Sequence, residues 1–139
     1  MQKKHIWIVI TILYCAAIFI ATASPSMTGN STKSFIAEIL KLTPEQAATL
    51  NFLFRKSVHL CAFGVLALLI YQCFDREKYV WPWILTTVYA ATDELHQAFI
   101  PSRTGSIIDV GIDSLGAIIA LTLARVYMEY RKRKLQKEY

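Results

Sequence analysis

The chain has 139 residues, 55% of them hydrophobic and 18% charged, and its mean hydropathy is +0.38. Soluble domains carry roughly 25% charged residues, so this balance points to a membrane protein. Aromatic residues at 12% exclude disorder, and five Gly with four Pro exclude collagenous or low-complexity architecture. The net charge of +5 does not imply nucleic acid. Lys3, Lys4, Arg76, Lys78, Arg131, Lys132, Arg133, Lys134 and Lys137 all fall in short segments that flank or join apolar runs. Cys15, Cys61 and Cys73 lie inside apolar runs without CxxC spacing and read as packing residues.

A helix needs about 20 apolar residues to cross the hydrocarbon layer. Residues 6–23 supply the first crossing. Lys3, Lys4 and Ala21-Thr22-Ala23 would also suit a signal peptide, but the apolar core exceeds the roughly 7–15 residues of such segments. It is read as an uncleaved helix. The loop over residues 24–56 carries Phe35, Ile36, Ile39 and Leu40 at helical spacing with Lys33, Glu38 and Lys41 between them, which predicts a short amphipathic helix. That helix is either a connector lying on lipid or a lid. Thr43-Pro44-Glu45-Gln46 then reads as an N-cap, a Pro at the first helical position and a capping-box Gln. A second helix starts there and runs through Leu50, Phe52 and Phe54 toward the second crossing, residues 57–74. Residues 79–99 and 107–128 supply the third and fourth, and a basic tail covers 129–139.

The expected fold is therefore all-α: one integral membrane domain over residues 1–139, a four-helix transmembrane bundle with short amphipathic helices in its first outer loop. An even number of crossings puts both termini on one side. The amino end, the turn Asp75-Arg76-Glu77-Lys78 and the tail carry most of the cations, which places them in the cytoplasm. The expected location is a cytoplasmic membrane, multi-pass, with residues 24–56 and 100–106 outside.

Ionisable residues inside the crossings are the informative feature, because each costs on the order of 2.5–3.5 kcal/mol at a helix centre and less near the ends. Arg55, Lys56 and His59 stand at the outer start of the second crossing. Asp93, Glu94, His96 and Gln97 stand at the outer end of the third, Arg103 lies in the loop beyond, and Asp109 and Asp113 open the fourth. Helices of alternating direction bring these turns to one depth. At 1.5 Å per residue, Asp113 lies roughly 9 Å below Ile107 and Asp93 roughly 9 Å below Phe99, within the outer leaflet. Spacings of three and four let each helix present one polar face. Glu94 stands about 100° around its helix from Asp93, which suits a solvent-facing position. A salt-bridged clasp would explain part of this cluster, yet ion pairs out of water return little net stability.

Four chemistries suit such a cluster. His59, His96 and two carboxylates resemble a set for metal-assisted hydrolysis, but the spacing is not HExxH and assigns no metal ligand. General acid and base work by a carboxylate with His96 or His59 lacks an evident nucleophile, since Ser57, Ser106 and Ser114 sit in no GxSxG turn. Recognition of an anionic headgroup or carboxylate by Arg55, Lys56 and Arg103 demands least of the sequence. Proton-coupled transport ranks last without an inverted repeat. No cofactor motif emerges, and the residues leave open whether the protein is an enzyme.

Arg55-Lys56-x-x-His59, then Asp93-Glu94-x-His96-Gln97-x-Phe99-x-Pro101-x-Arg103-x-Gly105, then Asp109 and Gly116 closely resemble the VanZ-like family over nearly the whole chain. Asp113 stands where an Asn is expected from that pattern, and Ser102 where Gly often precedes the Arg. The resemblance implies a small bacterial inner-membrane protein linked to resistance against teicoplanin, a lipid-tailed glycopeptide that binds cell-wall precursors. It also implies that Arg55, Lys56, His59, Asp93, Glu94, His96, Gln97, Pro101, Arg103 and Asp109 are characteristic positions. The expected partners are the bilayer and a lipid-linked cell-wall precursor or the lipoglycopeptide itself. The expected function is engagement of such a ligand in an outward polar cleft; the alternative is a membrane-embedded hydrolase or transferase acting on a lipid-linked substrate.

Overall fold

The computed structural model describes residues 2–24, 29–74, 78–100 and 105–137. These form five helices: α1 (Gln2–Ala23), α2 (Gly29–Leu40), α3 (Pro44–Cys73), α4 (Val80–Ala98) and α5 (Ile107–Lys137). The all-α expectation and the amphipathic α2 are met. The α3 start follows from its sequence: Thr43 caps the helix, its hydroxyl accepting from the Gln46 N–H while the Gln46 side chain accepts from the Thr43 N–H at 3.1 Å. At 30 residues, α3 runs without a break from the outer loop through the expected second crossing. Lys41 takes a left-handed φ of 50° after α2, and the Leu42 N–H bonds back to the Ala37 carbonyl at 3.2 Å, which turns the chain into α3. Helix α5 continues from the expected fourth crossing into the basic tail as far as Lys137.

Apolar and polar residues are inverted relative to a water-soluble bundle. Leu13, Ile20 and Leu123 are 65%, 68% and 64% exposed, whereas Asp93 and Asp113 are 2% and 0% exposed. A helix surface of that kind suits contact with lipid. Among the described residues, three helices are long and apolar enough to cross a membrane: α1, α3 and α5. Helix α4, the third of the four expected crossings, is not among them. Its 19 residues give adequate length, but Asp93, Glu94, His96, Gln97 and three threonines deny it an unbroken apolar stretch.

Side-chain pairs fix the directions. Along α3 and α5, Lys56 meets Asp109, His59 meets Asp113, and Tyr71 reaches the Met128 sulfur at 3.7 Å, so these helices run parallel. Along α4 and α5 the order reverses: Arg125 lies over the Tyr79 ring, Thr87 bonds Ser114 at 3.0 Å, and the Ser106 N–H reaches Glu94. Helix α1 is antiparallel to α3, with Thr11 beside Cys73 and the Tyr14 hydroxyl on the Ala62 carbonyl. It is parallel to α4, with the Tyr89 hydroxyl donating to the Cys15 carbonyl at 2.7 Å.

The tightest seam joins α3 to α5. Gly64 and Gly116 face one another, and a Cβ at Gly116 would stand 2.9 Å from the Leu60 carbonyl carbon and 3.1 Å from its Cα. Small residues let helices in lipid approach closely, because their association depends on van der Waals packing rather than on exclusion of water. Ala67, Tyr71, Ala117 and Leu121 continue the contact, while Ile18, Phe63, Leu66, Ile70 and Ala90 fill the space between α1, α3 and α4. This seam sets the register that places the polar turns of α3 and α5 side by side. The three cysteines are free, with Cys15 and Cys73 half-buried and Cys61 exposed.

Candidate functional site

Four helices contribute to one polar cluster at a single end of the molecule. One buried member is Asp93 on α4, which accepts from the Thr22 hydroxyl at 2.7 Å and from the Gln97 amide at 2.9 Å. Asp93 therefore has a donor on each carboxylate oxygen, which offsets part of the cost of burying it. One residue on, Glu94 is 4% exposed. Of the two positions weighed for Glu94, in the cluster or facing solvent, the structure has the first, and the reason is the chain that follows α4. Gly105 passes so close to the Glu94 backbone that a Cβ there would touch the Ala98 Cβ at 3.0 Å. That approach lets the Ser106 N–H donate to Glu94 Oε2 at 2.9 Å, while the Gln97 amide stands 3.4 Å from Oε1.

Helices α3 and α5 supply the other half. Lys56 Nζ donates to Asp109 Oδ1 and also lies 5.2 Å from the centre of the Phe52 ring. One turn further along both helices, His59 Nδ1 stands 3.4 Å from Asp113 Oδ1. This is an ion-pair distance without hydrogen-bond alignment, and neither Asp113 oxygen has a hydrogen-bond partner among the described residues. Asp113 is fully buried and His59 nearly so, their side chains being 0% and 15% exposed. His59, Glu94 and Asp113 bring one ligand-type atom each to within 4.8 Å of one another.

Of the residues singled out in sequence, then, Lys56, His59, Asp93, Glu94, Gln97, Asp109 and Asp113 are drawn into contacts that link α1, α3, α4 and α5. Arg55 is half-buried beside Lys56 and makes no ion pair among the described residues. His96, weighed with His59 as a candidate metal ligand, lies elsewhere. Its ring stacks on Phe19 of α1, with centroids 4.1 Å apart, so Glu94 and not His96 joins His59 and Asp113. Pro101 and Arg103 lie outside the described residues.

Sequence reasoning did not select Thr22 or Ser106 as partners of the acids. A threonine near the end of an apolar helix is unremarkable by itself, and Ser106 acts through its backbone. The one available signal was Gly105, whose small size in the loop marks a close approach.

Chemically, the cluster gathers four carboxylates and His59, with Lys56 paired to Asp109, on a molecule whose exterior is apolar. The fold and this site define a helical membrane protein with ionisable groups gathered at one end of the helices. The chain matches the model of the VanZ/LLP1 family over residues 7–128, and it belongs to that family. No curated protein and no solved structure matches it.

Proposed function

We propose that this protein is a multi-pass component of a bacterial cytoplasmic membrane whose outward polar site engages an amphiphilic or lipid-linked envelope ligand. In this reading α4 is the fourth crossing. Its polar turn is tolerated in lipid because Thr22, Gln97 and Ser106 satisfy Asp93 and Glu94. Both termini lie in the cytoplasm, since the basic end of α5 falls at the opposite end of the molecule from the cluster.

One observation carries the reading: Asp93, Glu94 and Asp113 are buried in a chain whose exterior is apolar, while Arg55, half-buried on α3 one turn before His59, has no ion pair among the described residues. A clasp evolved for stability would pair its charges, because an uncompensated buried charge is strongly destabilising. Here, among the described residues, Lys56 is the only lysine or arginine of the cluster paired with a carboxylate, and its partner Asp109 is partly exposed. Arg55 suits an anionic headgroup, and the apolar faces of α3 and α5 suit the attached lipid chain. The favoured ligand is a lipid-linked cell-wall precursor or teicoplanin itself, and protection would follow from a change in how much drug reaches its target.

The test is tolerance of teicoplanin in cells producing the wild type, Asp93→Ala or Arg103→Ala at equal membrane abundance. Loss of protection in both variants is expected, and unchanged tolerance in both overturns the role of this site. A second reading, hydrolysis or transfer on a lipid-linked substrate, is favoured by the apposition of His59 and Asp113, a base beside a group that orients it. It requires a modified lipid in the envelope, which mass spectrometry of lipids from cells with and without the protein detects.

A further inference from the structure

We infer that His59, Glu94 and Asp113 form a binding site for a divalent transition-metal ion, zinc or manganese. The inference deepens the ligand reading above and rests on it for the ion's role, though not for its existence.

The three groups come from three different helices, α3, α4 and α5, and their ligand atoms lie within 4.8 Å of one another. Ligands about 2.0–2.2 Å from one ion stand roughly 3–4 Å apart, so small side-chain rotations complete the geometry. Proximity of acids alone would not suffice. The second observation is Asp113, whose side chain is fully buried and both of whose oxygens lack a hydrogen-bond partner among the described residues. A carboxylate in that state is costly, and protonation does not repair it, because a carboxylic acid needs an acceptor and retains an unsatisfied oxygen. The nearest group, His59 Nδ1, is likewise buried without a hydrogen bond and faces the carboxylate at 3.4 Å. A cation between them satisfies both at once.

The donor set selects the ion. One imidazole nitrogen favours transition metals over magnesium and calcium, and two carboxylates favour zinc and manganese over the softer ions that prefer thiolate. Three protein ligands leave a position open, as in metal sites that act on a substrate. The second shell is partly in place: the Ser106 N–H at 2.9 Å from Glu94 Oε2 and the Gln97 amide at 3.4 Å from Oε1 orient the carboxylate, and each oxygen keeps a lone pair for the ion. Arg55 and Lys56 stand about one turn from His59 on α3. A phosphate or carboxylate bound to the ion would thus have a cationic second anchor, which names the ligand class as an anionic lipid headgroup.

The full chain, purified in detergent and stripped with a chelator, is reloaded with Zn2+ or Mn2+, dialysed and analysed for metal. About one ion per chain is expected, with a rise in melting temperature on reloading that Asp113→Asn, Glu94→Gln and His59→Gln each lose. Circular dichroism checks that the variants keep wild-type helix content, and any variant that unfolds is replaced in the comparison by the other two. Absence of uptake and of any thermal shift overturns the inference, and so does uptake retained in all folded variants. Retention of a polyprenyl phosphate by metal-free wild type, without uptake, removes the ion and leaves the ligand reading intact. Uptake by wild type alone, with no retention of that lipid, upholds the ion and removes the ligand reading.

Discussion

The glycines of α5 separate packing from helix propensity in a single experiment. Gly111 and Gly116 lie in the same helix, yet a Cβ at Gly111 meets nothing within 4 Å, whereas one at Gly116 stands 2.9 Å from the Leu60 carbonyl carbon. Carbon atoms settle at about 3.5–4.0 Å, so Gly116→Ala forces α3 and α5 apart by roughly 0.6–1 Å. Overpacking of that size costs about 1–3 kcal/mol, against a helix-propensity gain of about 1 kcal/mol that both substitutions share. Gly111→Ala should therefore melt at or above the wild-type temperature in detergent, and Gly116→Ala below it. The displacement also acts on the site, because Leu60 adjoins His59 and Gly116 lies less than one turn from Asp113. Equal melting temperatures for the two variants, or a more stable Gly116→Ala, would refute the Gly64–Gly116 seam as the feature that sets the register.

Thr22→Val removes the donor that meets Asp93 at 2.7 Å while keeping side-chain shape; a loss of about 1–3 kcal/mol in chemical or thermal unfolding is expected, and a neutral result would deny the α1–α4 contact. Lys56 and Asp109 are 26% and 19% exposed, so their coupling should fall between the about 1 kcal/mol of a surface pair and the about 3 kcal/mol of a buried one. A double-mutant cycle with Lys56→Met and Asp109→Asn measures it, and strictly additive losses would show the pair to be uncoupled. For orientation, Glu45→Cys should react with an impermeant thiol reagent from outside the cell and Lys134→Cys only after the membrane is opened; the reverse pattern would invert the topology.

Much of the fold was legible because its signals are local. Thr43, Pro44 and Gln46 announce the start of α3 within one turn, and the spacing of Phe35, Ile36 and Ile39 announces α2. The convergence of Lys56, His59, Asp109 and Asp113 was legible too, since alternating directions bring two helix beginnings together and spacings of three and four align their polar faces. Rotation of each helix about its own axis was not. Neighbouring residues differ by about 100°, and packing against distant segments decides which one turns inward. Thus His96 turned to stack on Phe19, and Glu94 went inward because Gly105 returned the Ser106 N–H to it. The polarity of α4 was visible in the sequence as well, but the donors that make it tolerable come from Thr22, 71 residues before Asp93, and from a backbone amide.

Retention of lipid by the purified protein bears most directly on whether the buried cluster is a ligand site. Native mass spectrometry of the wild type and of Arg55→Ala, each offered a polyprenyl phosphate or the matching polyprenol, separates the headgroup from the chain. The wild type should hold the phosphate in preference to the alcohol, and Arg55→Ala should lose that preference while melting at the wild-type temperature. Equal retention of the two lipids by the wild type, or an undiminished preference in the variant, would mean that the acids and cations gathered at this end of the helices serve only to hold them together.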